Sequence, residues 1–508
     1  MVSQVQQRMN PLRLASVVVA LLTGASVGAN AAVTRLVDAV KAGDRKAVRS
    51  LLQQSADVNA PDVDGTTALH WAVRADDIDT VRLLLTSGAD ATAANRYGVT
   101  ALSLAVTNGS STLTRMLLEA GADANAALLE GETVLMTAAY NGRLEPIRML
   151  LDYGADPNAH ERSFGETALM WAAALNQAAA IRVLIDGGAD VNARSAVANY
   201  SRPRTPITVL PRGGWTPLMY AARQGAIEAV RTLVDAGADL NLRDPDGTTA
   251  LVLAIINAHY RLAAMLVEKG ADLNVADEAG MAALYAAIDM HTLPWLFGSP
   301  EPKTNDPRES FEMVKLLLAH GADPNARLQR SPLQRLHTPG DPVMAEGATP
   351  FMRAAKAGDI AVMRLLLDHG ANPALVQKNG TTALIIAAGL GWQDGGANLN
   401  TRDRGTQGDA INAIRLCLQQ GLDIHAVNDS GTGVLHAAAL RGDAADIIRF
   451  LVANGARVDA KNYQGQTALD LALARRGQDG AAAVIPSTVN LFRQLLAAHG
   501  VTTTSDTR

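Results

Sequence analysis

Residues 214–246 read GWTPLMYAARQGAIEAVRTLVDAGADLNLRDPD, and they hold two short helices and a turn. Thr216 stands where an N-cap belongs, and Pro217 follows at the first helical position, where its missing N–H costs nothing. Leu218, Ala221 and Ala222 fall on one face, and Gly225 ends the first helix. Val230, Leu233 and Val234 then repeat the i, i+3, i+4 spacing of an amphipathic segment. Gly237 closes that second helix with a residue suited to left-handed backbone. The stretch from Asn241 to Gly247, rich in Asn, Asp, Pro and Gly, reads as a turn or hairpin.

Helices this short cannot bury their apolar faces alone, so they require neighbours, and the chain supplies them. Gly247 and Gly280 open further copies, each 33 residues on. The period, the order of elements, an early G-x-T-[AP]-L and a late G-A-D-x-N together resemble the ankyrin repeat. The resemblance implies an all-α ankyrin-repeat solenoid of helix–turn–helix units joined by β-hairpins or loops, about twelve repeats including caps. Full starts lie at Gly65, Gly98, Gly131, Gly165, Gly214, Gly247, Gly280, Gly347, Gly380, Gly431 and Gly465. The reading divides the chain into residues 32–64 as N-terminal cap, 65–464 as internal repeats, 465–500 as C-terminal cap and 501–508 as a disordered tail. The low aromatic content, 4%, suits thin helices that approach closely.

Three intervals break the period. Between Gly165 and Gly214 it is 49, and the extra residues 193–213 carry Arg194, Arg202, Arg204 and Arg212 with no acid. Between Gly280 and Gly347 it is 67, through insertions 291–309, between the helices, and 327–346, on the hairpin side. Between Gly380 and Gly431 it is 51, with the extra residues 392–409 between the helices. The last unit also lengthens its inter-helix loop, at 477–486. Insertions in solenoids often map to a binding face. Ala282 and Gly433 replace the starting Thr, and each lost capping hydroxyl is expected to cost about 1 kcal/mol.

Residues 1–31 have a separate pattern. Arg8 and Arg13 flank the apolar run 14–22, and small residues lead to Ala29-Asn30-Ala31, the layout of a secretory signal peptide. The expectation is export, to a periplasm or beyond it, of a monomer with no membrane contact after cleavage. Cleavage removes Arg8 and Arg13 from 45 Lys+Arg, leaving 43 against 50 Asp+Glu, a net charge of −7. That balance speaks against nucleic acid, which is held through phosphate neutralisation. The single cysteine, Cys417, cannot form an internal disulfide and reads as a small buried residue.

The chain has no nucleophile, zinc or phosphate-loop motif, so neither enzymatic activity nor a cofactor or metal is expected. His70 and His436 follow repeat starts, where the resemblance implies a bond within the turn. His320, His369 and His499 end second helices, where a cationic ring suits the dipole. Acids at turns, such as Asp62, Asp64, Asp244 and Asp246, read as turn formers. What remains is surface. The resemblance implies that hairpin tips and the concave face of the first helices contact another protein. Carried over by position, the contact residues are Arg74, Tyr140, Asn141, Trp215, Arg223, Gln224, Ile256, Asn257, Lys356 and Arg441, with Trp71, Trp171 and Tyr220 adjacent. Aromatic and Arg side chains are the usual interface anchors; they concentrate between Trp71 and Arg223. Adding the inserted Arg202, Arg204 and Arg212 makes this half the expected docking groove, with Trp215 and Tyr140 exposed. Two other readings stand beside it: a ligand or enzymatic site built by the insertions, with Trp295, Arg335 and Asp394, and a secreted effector that binds a host protein.

Overall fold

The computed structural model describes residues 35–197, 213–292, 295–296, 307–332, 341–391, 401–402, 405–441, 444–474 and 484–499. The expected leader, residues 1–31, the expected tail, 501–508, and Arg202, Arg204, Arg212, Arg335 and Asp394 lie outside them.

Two compact units divide the chain, residues 1–195 and 196–508. In the first, each first helix is followed by a second: α1 Leu36–Lys41 and α2 Arg45–Gln53, α3 Ala68–Arg74 and α4 Ile78–Thr86, α5 Ala101–Asn108 and α6 Ser111–Glu119, α7 Val134–Tyr140 and α8 Leu144–Asp152, α9 Ala168–Ala174 and α10 Ala178–Asp186. The second continues the pattern with α11 Pro217–Gln224 and α12 Ile227–Asp235, α13 Ala250–Ile256 and α14 Tyr260–Glu268, α15 Ala283–His291 and α16 Pro307–Ala319, α17 Pro350–Ala357 and α18 Ile360–Asp368. It closes with α19 Ala383–Ala388 and α20 Gln407–Gln419, α21 Val434–Arg441 and α22 Ala445–Ala453, α23 Ala468–Ala474 and α24 Pro486–Ala498. Among the described residues these make twelve helix pairs, five in the first unit and seven in the second, each unit an all-α stack of helix pairs. Within each unit first helices pack on first helices and, in most repeats, second on second. Each pair therefore buries on its neighbours the faces it cannot cover itself.

The capping chemistry matches the residues. The Thr216 hydroxyl accepts from Met219 N–H at 3.3 Å, with Pro217 at the first helical position and Gly225 left-handed at the end (φ 71°). Ala282 caps α15 with no side-chain bond, as its methyl dictates. At Gly433 the backbone N–H instead donates to His436 Nδ1 at 3.2 Å.

No hairpin ladder forms among the described connecting segments. They are loops with isolated bridges, such as Ala94 with Thr100. Side chains hold them together. Asn125 donates to Gly154 O at 2.9 Å and accepts from Asp156 N–H at 2.8 Å, and Asn158 does the same for Gly188 and Asp190. In the second unit Asn274 and Asn325 continue this ladder onto Gly321 and Gly370. The turn acids serve the same end. Asp244 accepts from Asp246 and Thr248 N–H, and Asp277 from Ala279 and Met281 N–H, both at 2.8 Å.

Asp277 is costly as a carboxylate. Burial pushes its carboxyl up to about 6, against the pull of the Met281 and Ala279 N–H groups. A folded pKa above the unfolded value means the folded chain holds the proton more tightly. The stability from this group is full below about pH 4 and is lost as pH rises to about 6. Asn95 makes the same two turn bonds, to Tyr97 and Val99 N–H, without a charge. Asp277→Asn is therefore expected to stabilise the protein by about 1–2 kcal/mol at pH 7, after discounting for partial exposure. Thermal melts at pH 7 and pH 4 check this, since the gain must vanish at the lower pH.

Candidate binding surface

In the first unit the first helices present a row of aromatic and cationic side chains. Trp71 on α3 lies between two cations, with Lys41 Nζ 4.6 Å and the Arg74 guanidinium 5.3 Å from its ring centroid. Such contacts favour a cation over the electron-rich ring face. Tyr140 on α7 meets Trp171 on α9 edge to face, with centroids 5.9 Å apart. Trp171 Nε1 donates to Glu166 at 2.9 Å. Trp71 Nε1, one Arg74 nitrogen and the Tyr140 hydroxyl are buried with no hydrogen-bond partner. Buried polar groups normally have one, so this face is incompletely satisfied. Near it, burial raises the Glu132 pKa, helped by Glu161, Glu130 and Glu166.

The loop tips add a feature that the sequence analysis missed. Val63 is 93% exposed, Leu129 62% and Phe164 45%. A visible signal was there: an apolar residue one or two places before a start Gly.

The expected docking residues separate into two groups. Arg74 and Tyr140 are half-buried and Asn141 is exposed, as are Gln224 and, partly, Tyr220 and Arg223. Trp215 was expected to be exposed and is not. It is 3% exposed, donates from Nε1 to Asp244 at 3.1 Å, and lies edge-on to Tyr220 with Arg223 5.1 Å from its centroid. Burial lowers the Arg223 pKa. Tyr140 is only partly open, because its hydroxyl is buried. Ile256, Lys356 and Arg441 are also buried, at 7%, 4% and 4% exposure.

Lys356 is covered by the chain itself. Asp341, in the 327–346 insertion, pairs with Lys356, and Gln377 donates to Val343 O at 2.7 Å. Met344 is fully buried, and Val343 sits where a Cβ on Gly391 would fall. This insertion therefore lies on the first-helix face of the repeats opened by Gly347 and Gly380. No described insertion covers the corresponding face of the first unit.

Sequence comparison agrees with the architecture. A family model described as ankyrin repeats (3 copies) matches residues 36–127, 102–195, 203–277, 308–395 and 406–493. The chain belongs to the ankyrin repeat family. It is also similar to the E3 ubiquitin-protein ligase KEG of Arabidopsis thaliana, 26% identical over 168 residues, which are 32% of this chain and 8% of that protein. The chain thus spans less than a tenth of that relative's length, and the ligase activity in its name is a statement about that protein.

The ankyrin repeat stack is a non-catalytic scaffold, and its histidines here serve it. His70 Nδ1 accepts from Thr67 N–H at 3.2 Å while Nε2 meets Val99 O at 3.0 Å. His436 repeats this with Gly433 and Gln466. The rings of His320, His369 and His499 bond carbonyls one turn back. Spacing did not reveal one trio. His291 meets Ser310 Oγ at 2.7 Å through Nδ1 and Asp359 at 3.0 Å through Nε2. Ser310 is 1% exposed, so no substrate reaches its hydroxyl, and the trio ties α15, α16 and α18 together. Cys417 is fully buried and its thiol is pushed up to about 12 by burial, which makes it unreactive. Among the described residues there is no cluster of His, Cys, Asp or Glu that could hold a metal ion, and no helix long and apolar enough to cross a membrane.

Proposed function

We propose that this ankyrin repeat protein is a non-enzymatic binding module that holds another protein against its first unit. The observation that carries the reading is the pairing there of exposed apolar tips, Val63, Leu129 and Phe164, with a half-buried first-helix row, Trp71, Arg74, Tyr140 and Trp171, that no described insertion covers. Aromatic and Arg side chains next to exposed apolar ones are what a protein partner buries. In the second unit the insertion covers part of the equivalent face, and the proposed contacts there are Tyr220, Arg223 and Gln224 at its start. Arg202, Arg204 and Arg212 remain proposed contacts.

Replacing Leu129 and Phe164 together by Ser is expected to weaken partner binding by about tenfold or more. Both are exposed, so stability should stay within about 0.5 kcal/mol. Titration calorimetry beside a thermal melt checks both halves, and unchanged affinity sinks the tip assignment.

Export and a monomeric state complete the proposal, the first supported by the leader pattern of residues 1–31. A mature N terminus at Ala32, read by mass spectrometry of the protein from its own cells, is the expected result. The net acidity supports a protein partner over nucleic acid. A host-directed effector is the same binding module with a foreign partner.

A further inference from the structure

The second unit carries a cavity that the docking surface does not use. Two of its insertions meet: β1 Trp295–Leu296 and β2 Thr401–Arg402 pair antiparallel, Trp295 with Arg402 and Leu296 with Thr401. One leaves from the end of α15 and the other enters α20, so the pairing joins them across the repeat opened by Gly347. The residues at their bases, His291 and Thr292 on one side and Asp409 on the other, line a cavity of about 570 Å³ with the α17–α18 turn and the exposed faces of α18 and α20. That volume lies within the range of small-molecule sites.

The charges facing this cavity are unevenly committed. Asp359 caps α18, accepting from Val362 N–H at 3.0 Å, and also holds His291. Asp409 accepts from the Thr406 N–H and hydroxyl, both at 2.8 Å. Both carboxylates are thus bound to their own elements. The arginines are not matched by them. Arg364 on α18 is exposed and makes no hydrogen bond or ion pair among the described residues. Among the described residues Arg415 on α20 bonds only the neutral Asn412 amide oxygen, at 2.8 Å, and its guanidinium lies 5.2 Å from the Phe450 centroid. Asn412 and Gln419 add amide groups to the wall. A guanidinium presents a rigid fork of donors whose best match is a planar or tetrahedral oxyanion.

We propose that this cavity is a binding site for a small molecule bearing a carboxylate or phosphate group, held by Arg364 and Arg415 and bordered by Thr292, Asn412 and Gln419. The site is independent of the docking surface and lies on a different part of the chain. It is consistent with a non-catalytic scaffold, because neither arginine is placed to act on a bond.

The test uses the full-length protein and two probes, inorganic phosphate and malonate, each titrated against sodium chloride at equal ionic strength. One probe or both should raise the melting temperature beyond the chloride control and give a saturable isotherm. A response to phosphate alone identifies the phosphate class, and a response to malonate alone the carboxylate class. Arg364→Gln with Arg415→Gln should weaken that binding by about tenfold or more, the loss of charge-assisted bonds. Both side chains are exposed, so the variant keeps its fold. Silence from both probes with the wild-type protein overturns the proposal, and so does binding that survives in the double variant.

Discussion

Replacing Asp289 by Ala is expected to destabilise the protein by about 3–5 kcal/mol. Arg353 and Asp289 form an ion pair at 2.6 Å, with side chains 2% and 7% exposed. The guanidinium also donates to Thr292 O at 3.3 Å. Burial lowers the Arg353 pKa, but Asp289, together with Tyr285 and Asp341, more than offsets this, so it stays raised and charged. Tyr285 beside them is fully buried and kept neutral by that burial and by the Asp289 charge. Removing Asp289 leaves a buried cation without its ion-pair partner. Removing both charges, as Asp289→Leu with Arg353→Met, should cost much less, because the desolvation penalty disappears with them. Urea unfolding reads both variants. In a stack of helix pairs the loss falls on the transition that includes α15 and α17. A single variant within about 1 kcal/mol of wild type would show that water reaches this pair.

Trp215→Ala is expected to cost about 3–5 kcal/mol, the penalty for removing a buried aromatic ring. The sequence alone suggested the opposite, an exposed anchor whose loss leaves the fold intact. The structure explains the difference. Gly213 and Gly214 are both left-handed, at φ 82° and 67°, and Gly213 bridges to Val197 across the base of the insertion. This carries Trp215 inward, onto Asp244 of the following turn and against Tyr220. Trp215→Phe, which keeps the ring and drops the N–H, should recover most of the loss. A melting curve for Trp215→Ala matching wild type would contradict this packing.

These two cases mark what was legible in the sequence. Helix pairs, caps and turn acids were readable because each depends on residues a few places apart, as with Thr216 and Met219 or Asp244 and Thr248. The roles of His70 and His436 were readable from their place after the repeat start. The exposure of first-helix residues was not. Lys356 is covered by Asp341 and Trp215 is turned inward by an insertion, and neither contact follows from a repeat position. The same limit hid the His291–Ser310–Asp359 trio and the pairing of β1 with β2, which bring together residues from separate repeats. Repeat position predicts the element a residue sits on, while insertions decide what covers it.

The claim that the first-helix face and tips of the first unit hold a protein partner has a direct test. A photo-reactive benzophenone residue would be placed at Leu129 or Asn141, and for comparison at Arg82 or Arg182, which are exposed on second helices. Each protein would be made in its native cells and irradiated there. The account predicts one protein crosslinked from Leu129 and Asn141 and absent from Arg82 and Arg182. The same adduct from all four positions, or only from the second helices, would contradict it.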